Sequence, residues 1–262
     1  MRLSFVIPAR NEEALIGEVV EAILASVAHA TGIVRRDLWL PDTPFEVIVA
    51  DDGSDDATAD IVRSFTGTAG VRLVSCAARS CGAARNAGTE VSSGQVLCFV
   101  DADTIVPVNA VSRILAHHEG EGRCLVIYRL VSREPGVRAW LWWTFWGLAR
   151  HLPLAEAKSM PAFMSCDRTH FDRYGPFTES CAITEEWPLT RAAYRHHRAR
   201  FLYDRGIAAR SSSRRMELQP FGYTRTYLQW AAAVLFPWAR TSPSRRIRHA
   251  SGDRGRQDQP WS

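Results

Sequence analysis

The sequence predicts a doubly wound, Rossmann-like α/β half followed by a less regular second half. Apolar runs of strand length alternate with amphipathic stretches of helical length, and three of the runs stop abruptly in polar, mostly acidic clusters. With 262 residues, 46% hydrophobic and 23% charged, the chain buries a full core and is not a disordered polymer. In order, Leu3-Ser4-Phe5-Val6-Ile7 is a strand ending at Pro8. Glu12 to Ala30 carries Leu15, Ile16, Val19, Val20, Ile23, Leu24 and Val27 at helical spacing, a crossover helix with acids in its first turn. Residues 31–44 read as an irregular connection, and Phe45 to Ala50 as the second strand. Ser54 or Asp55 is placed to cap a helix bearing Ile61, Val62 and Phe65. Val71 to Val74 is the third strand. Small residues from Gly82 to Gly88 open a closely packed helix, and Val96 to Val100 is the fourth strand. This βαβαβαβ order over the first 103 residues defines parallel pairing.

In such a sheet, ligands collect outside the carboxyl ends of the strands. The clusters found there are Pro8-Ala9-Arg10-Asn11-Glu12, Asp51-Asp52-Gly53-Ser54 and Asp101-Ala102-Asp103, with Gly82-x-x-Arg85-Asn86 between the last two. Each alone reads as a turn or a cap, because Asp, Gly and Ser are what turns select. Their conjunction reads as a site. Grouped carboxylates repel unless a cation lies among them, and hard oxygen donors suit Mg²⁺ or Mn²⁺ shared with a diphosphate. The net charge of +4 is almost wholly arginine, Lys158 being the only lysine, which gives cationic sites planar, phosphate-matching geometry. Six cysteines show no zinc spacing and several sit in apolar runs, which predicts reduced thiols and a cytoplasmic setting. Met1-Arg2 runs directly into a strand, an opening that predicts neither signal peptide nor anchor.

Together, Phe5 to Glu13, Val49 to Thr58, Gly82 to Gly88 and Phe99 to Asp103 closely resemble the family 2 glycosyltransferases of GT-A fold. The resemblance implies a mixed central sheet flanked by helices, a nucleotide-sugar donor (a UDP-sugar by default), Mg²⁺ or Mn²⁺, and inversion at the anomeric carbon. It implies that Pro8, Ala9, Arg10 and Glu12 line the nucleoside pocket, with Asp51 at the base and Gly53 and Gly82 at the donor. Arg85 and Asp101 would sit near ribose and phosphate. Asp103 would be the direct metal ligand, with Asp101 beside it. Many relatives place a Thr-Glu-Asp element before an amphipathic helix, its Asp acting as general base. This chain reads Thr184-Glu185-Glu186-Trp187, which makes Glu186 the matching base and Glu185 its competitor. Both also read as acids favouring a helix N-terminus. Ser211-Ser212-Ser213-Arg214-Arg215 resembles a late Ser-x-Arg-Arg stretch whose guanidinium groups would bridge the diphosphate; a solvated basic loop is the alternative.

The organisation expected is a catalytic domain over 1–215, its donor half 1–105 and its acceptor half 106–215. An amphipathic helical appendage over 216–240 and a disordered basic tail over 241–262 follow. Two aromatic segments, Ala139 to Ala149 and Tyr227 to Trp238, are too short to span a bilayer. They suit a membrane interface with Arg138, Arg150, Arg225 and Arg240 at headgroups, a cover over the core, or a homodimer contact. The acceptor expected is a hydroxyl compound, with a lipid or polyprenyl-linked one among the candidates. His117-His118 and His196-His197 are poor metal candidates, since neighbours on a helix diverge. A nucleotidyltransferase would want a glycine-rich basic loop after the first strand, and an oxidoreductase a G-x-G-x-x-G turn; neither is present. Nothing in the pattern points to nucleic acid, and a non-catalytic relative remains the alternative if Glu186 is misplaced.

Overall fold

Every residue of the strands β1 (Leu3–Ala9), β2 (Phe45–Asp51) and β4 (Val96–Val100) is buried, as expected of parallel strands covered on both faces. The computed structural model describes residues 1–32, 45–67, 70–152, 154–180, 184–217 and 221–235, and for Arg215 and Met216 the backbone alone. Most of the 31–44 connection and all of the 241–262 tail lie outside the described residues.

One eight-stranded sheet runs β3-β2-β1-β4-β7-β6-β8-β5, with β3 (Val71–Ser75), β5 (Thr104–Ile105), β6 (Leu125–Ser132), β7 (Phe163–Asp167) and β8 (Phe201–Ser211) completing it. The strands β3, β2, β1 and β4 are parallel, while β7 is antiparallel to both β4 and β6. The sheet is therefore mixed, and its parallel half is the one read from the sequence. The strands that end in the three polar clusters, β2, β1 and β4, are immediate neighbours. The chain order reverses at β1, the topological switch point where an open sheet leaves a crevice.

The helix α1 (Ile16–Thr31) begins four residues later than the periodicity implies, for a local reason. The backbone N–H groups of Asn11, Glu12 and Glu13 donate to Ser54 Oγ (3.0 Å), Thr58 Oγ1 (2.8 Å) and Asp56 Oδ2 (3.1 Å). In return, Asn11 Oδ1 and Glu13 Oε2 accept from the N–H groups of Asp55 and Ala57. Two loops at the carboxyl edge are thus braced on each other. Helix α2 (Thr58–Phe65) has neither Ser54 nor Asp55 as its cap: Ser54 is committed to Asp51, and Asp56 Oδ1 takes the Thr58 N–H at 3.0 Å. Helix α3 (Cys81–Glu90) lies close on the sheet because of its small residues; a Cβ on Gly88 would meet Val6 Cγ1 at 2.6 Å.

The second half supplies α4 (Ala110–Leu115), α5 (Val137–Ala149), α6 (Arg168–Tyr174), α7 (Trp187–His196), α8 (Arg214–Glu217) and α9 (Gly222–Leu235). The two aromatic segments contribute α5 and α9, which cover each other: Trp142 and Trp146 pack against Tyr223, Tyr227 and Trp230. Trp140, Leu141, Leu148 and Leu228 stay exposed on the outside. Arg150 does not reach outward as a headgroup contact; it is 4% exposed, drawn in over the Tyr203 ring. His117 and His118 are buried too, bonded to Asp204 (2.9 Å) and to Asp167 and Ser165 (2.8 Å each), and so serve packing. No helix among the described residues is long and apolar enough to cross a membrane.

Candidate active site

The β1–β4 switch point opens into a cavity of about 170 Å³ lined by Pro8, Ala9, Arg10, Asp52, Arg79, Asp101 and Asp103 among others. Five of the residues expected there from the sequence are at its wall. Asp51 and Gly53 lie beside it and form the turn that holds the wall: Gly53 adopts φ +70°, and Asp51 Oδ1 accepts from Ser54 Oγ at 2.5 Å. Asp52 lines the cavity and accepts the Arg79 N–H at 2.8 Å. Gly82 is a packing residue here, since a Cβ would sit 2.8 Å from the Thr178 carbonyl oxygen.

Arg85 ties the two halves together. Its Nη2 donates to Asp101 Oδ1 at 2.5 Å and its Nη1 to Glu185 Oε1 at 2.6 Å, with the guanidinium 5.5 Å from the Phe177 ring centre. It is 1% exposed, and its contact with the buried Glu185 is made away from water, where charge-assisted pairs are strong and an unpaired partner is costly, while Asp101 faces the cavity. Asn86, the next residue, accepts the Phe177 N–H and donates to its carbonyl, fixing the segment that carries the two glutamates. Glu185 is therefore the arginine's partner, and Glu186 is left for other work.

Asp103 is buried at the end of the β4 strand. Burial first, then the charge of Asp101, pushes its carboxyl up to about 7, against the opposing charge of Arg214. Ser212 N–H donates to the Asp103 carbonyl (3.1 Å), because β5 pairs antiparallel with the end of β8. That pairing brings the serine-arginine run against Asp103. Arg214 pairs there with the buried Glu12, and Glu134 accepts from Ser213 N at 2.8 Å and from Ser212 Oγ. Glu12 thus orients an arginine and does not line the cavity wall. Arg215's side chain lies outside the described residues.

Glu186 is 4% exposed and accepts a hydrogen bond from Ser159 Oγ at 2.5 Å, while its other oxygen has no protein partner. Burial, then the neighbouring Glu185, pushes it up to about 7. A carboxyl with that value and a free oxygen is suited to accept a proton near neutral pH. Ser159 and Glu134 carry no sequence signal of this role. They come from distant stretches and are brought in by the fold alone.

Among the described residues no group of three or more His, Cys, Asp or Glu side chains forms a closed metal cage. The donor set nevertheless fits a hard divalent cation. Asp103 is a buried carboxylate short of positive charge, Asp101 keeps an oxygen beyond its Arg85 bond, and Mg²⁺ or Mn²⁺ draws its remaining oxygen ligands from phosphate and water.

The mixed α/β sheet with acids at its switch point has the GT-A fold, and solved structures of that fold superpose on it. The Staphylococcus aureus TarS 1–349 complex with UDP-GlcNAc matches with a TM-score of 0.61 at 17% identity, over 86% of this chain and 61% of that one. Glucosyl-3-phosphoglycerate synthase from Mycobacterium tuberculosis, solved with Mn²⁺, UDP-glucose and phosphoglyceric acid, matches with 0.59 at 22% identity, over 88% and 79%. Residues 4–186 match glycosyl transferase family 2, and the chain belongs to that family. Validoxylamine A glucosyltransferase of Streptomyces hygroscopicus subsp. limoneus is 32% identical over 127 residues, 48% of this chain and 25% of the relative. Probable glycosyltransferase YdaM of Bacillus subtilis (strain 168) is 29% identical over 139 residues, 50% of this chain and 30% of the relative. The chain spans less than a third of the length of these two relatives.

Proposed function

We propose that this chain is an inverting, metal-dependent transferase that moves a sugar from a UDP-sugar to an acceptor hydroxyl. The observation that carries the reading is the buried Arg85 bridge, which ties Asp101, in the cavity wall with Asp103, to Glu185, the neighbour of the buried Glu186. Pro8, Ala9 and Arg10 would face the nucleoside, with Asp51 and Gly53 shaping that wall, while Gly82 lets helix α3 pack close to Thr178. Asp101 and Asp103 would hold Mg²⁺ or Mn²⁺, which when bound neutralises the diphosphate as it departs. Arg214, oriented by Glu12, would add charge on the phosphate side, with Arg215 next to it. Glu186 would take the acceptor's proton on Oε2 while Ser159 fixes its other oxygen, and Glu185 would keep Arg85 in place. The UDP complexes of the two structural neighbours, one with Mn²⁺, support the choice of donor and metal. A cytoplasmic setting, with the exposed Trp140, Leu141, Leu148 and Leu228 resting on a bilayer, belongs to the same proposal; flotation with phosphatidylglycerol vesicles tests that contact.

The test is thermal denaturation against a panel of nucleoside diphosphates with and without Mn²⁺. UDP at a hundredfold its dissociation constant should stabilise by about 2.7 kcal/mol, in the presence of Mn²⁺ and much less without it. Absence of a shift with every diphosphate would overturn the reading.

A further inference from the structure

A second cavity, of about 730 Å³, lies between α5, the β6 strand and β8, within the size range of small-molecule sites. We infer that it seats the acceptor, and that the acceptor carries an oxyanion, a phosphate or a carboxylate, besides its reacting hydroxyl. This inference rests on the transferase reading above and names its second substrate.

Location comes first. Arg150, in the cavity wall, donates from Nη1 to the Lys158 carbonyl (3.2 Å) and from Nη2 to Met160 Sδ (3.1 Å). The residue between those two is Ser159, which holds Glu186. The wall of the cavity is thus one side chain from the base. On its other side, Glu134 lines the cavity and grips Ser212 and Ser213, the segment bonded to Asp103. The cavity therefore adjoins both ends of the reaction.

Charge comes second. Arg129, Arg150 and Arg205 line it, and among the described residues none of them forms an ion pair. Its one acidic lining residue, Glu134, is already satisfied by the two serines. Arg150 is nearly fully buried; its guanidinium bonds a carbonyl and a thioether, lies over Tyr203 and feels the charge of Glu186 without an ion pair to it, which leaves it short of a direct anionic partner. Arginine's planar fork matches phosphate and carboxylate oxygens.

Aromatic surface comes third. Trp140, Trp143 and Trp146 line the cavity. A ligand with ring or apolar faces besides its oxyanion would lie on the indole surfaces. A neutral apolar occupant would leave the cations unpaired.

The experiment titrates the protein, saturated with UDP and Mn²⁺, with glucose 6-phosphate, gluconate and glucose, and follows tryptophan fluorescence. The two oxyanions should give saturable changes and glucose should bind at least tenfold more weakly. Arg205→Gln and Arg129→Gln, both at the cavity mouth, should each weaken oxyanion binding severalfold while the UDP thermal shift is retained. Vesicles of phosphatidylcholine with and without phosphatidic acid separate a lipid source of the phosphate from a soluble one. Binding to either carries the inference, and binding to neither overturns it. Equal affinity for glucose, or arginine variants that bind as the parent does, would also overturn it. A parent protein that shows the UDP shift but no oxyanion response sinks this inference alone. One that shows the oxyanion response without any UDP shift sinks the donor reading and leaves the cavity assignment standing.

Discussion

Glu46 and Glu186 are both glutamates, both almost wholly buried, and they have opposite proton affinities. Glu46 stands near the start of the β2 strand, at the amino edge of the sheet. Its Oε1 accepts from Ser4 Oγ (2.6 Å), Ser93 N (2.6 Å) and Ser93 Oγ (3.0 Å), and Arg72 donates to Oε2 at 2.5 Å. Burial raises its pKa, and Ser4, Ser93 and Arg72 together more than offset this, so it lies below the ordinary range. Glu186 sits beyond the opposite, carboxyl edge with one hydroxyl donor, an unpartnered oxygen and an anionic neighbour, and it is pushed up to about 7. Burial is common to both; the supply of donors is not. A carboxylate the fold satisfies is a structural pin, and one the fold leaves short is available to a metal or a proton.

Four substitutions sharpen that contrast, in descending effect. Asp103→Asn should abolish transfer and remove the Mn²⁺ dependence of UDP binding, because the amide keeps the shape and loses the charge; unchanged Mn²⁺-dependent binding in calorimetry would refute it. Glu186→Gln should lower the transfer rate by roughly 10²-fold or more with donor binding intact. Glu185→Gln should be milder in rate yet cost about 3 kcal/mol of stability, since Arg85 loses a buried partner. If it proves the less active of the two in a steady-state assay, the base assignment is off by one. Glu46→Gln should destabilise by about 2 kcal/mol in urea unfolding and leave UDP affinity unchanged.

Acidity separates the two edges as well. The Glu186 carboxyl binds its proton more tightly folded than unfolded, so its contribution to stability is fully present below about 4.5 and is lost as pH rises through about 7. Glu186→Gln should therefore gain stability relative to the parent between pH 5 and pH 8, by up to about 3 kcal/mol. Glu46 has the opposite sign: its contribution is present above its unfolded value and is lost as pH falls below it. Denaturation of parent and variant at both pH values checks this, and a pH-independent difference would count against the raised value.

Much of the donor half was legible because its information is local. Strand length, crossover helices and acids at strand ends are read within ten or so residues, and β2, β1 and β4 came out as neighbours. The acceptor half was not, because its determinants are long-range. Its strands mix directions, Glu134 reaches Ser213, Ser159 reaches Glu186, and Arg150 turns inward where its helix end suggested solvent. The sequence offered Glu186 as the matching base with Glu185 as its competitor; the bond from Arg85 to Glu185 is announced by nothing near them in sequence.

The most direct test of the account is proton release when a UDP-sugar and Mn²⁺ bind, measured by calorimetry with UDP-glucose and UDP-GlcNAc in buffers of different ionisation enthalpy. With its carboxyl pushed up to about 7, Asp103 as the proposed metal ligand should shed a proton on binding a cation at pH 6 and have little left to shed at pH 8.5. Release approaching one proton at pH 6 and near none at pH 8.5 is the predicted result. Tight Mn²⁺-dependent binding with no proton release at pH 6 would contradict the claim that Asp103 is a buried, proton-holding metal ligand.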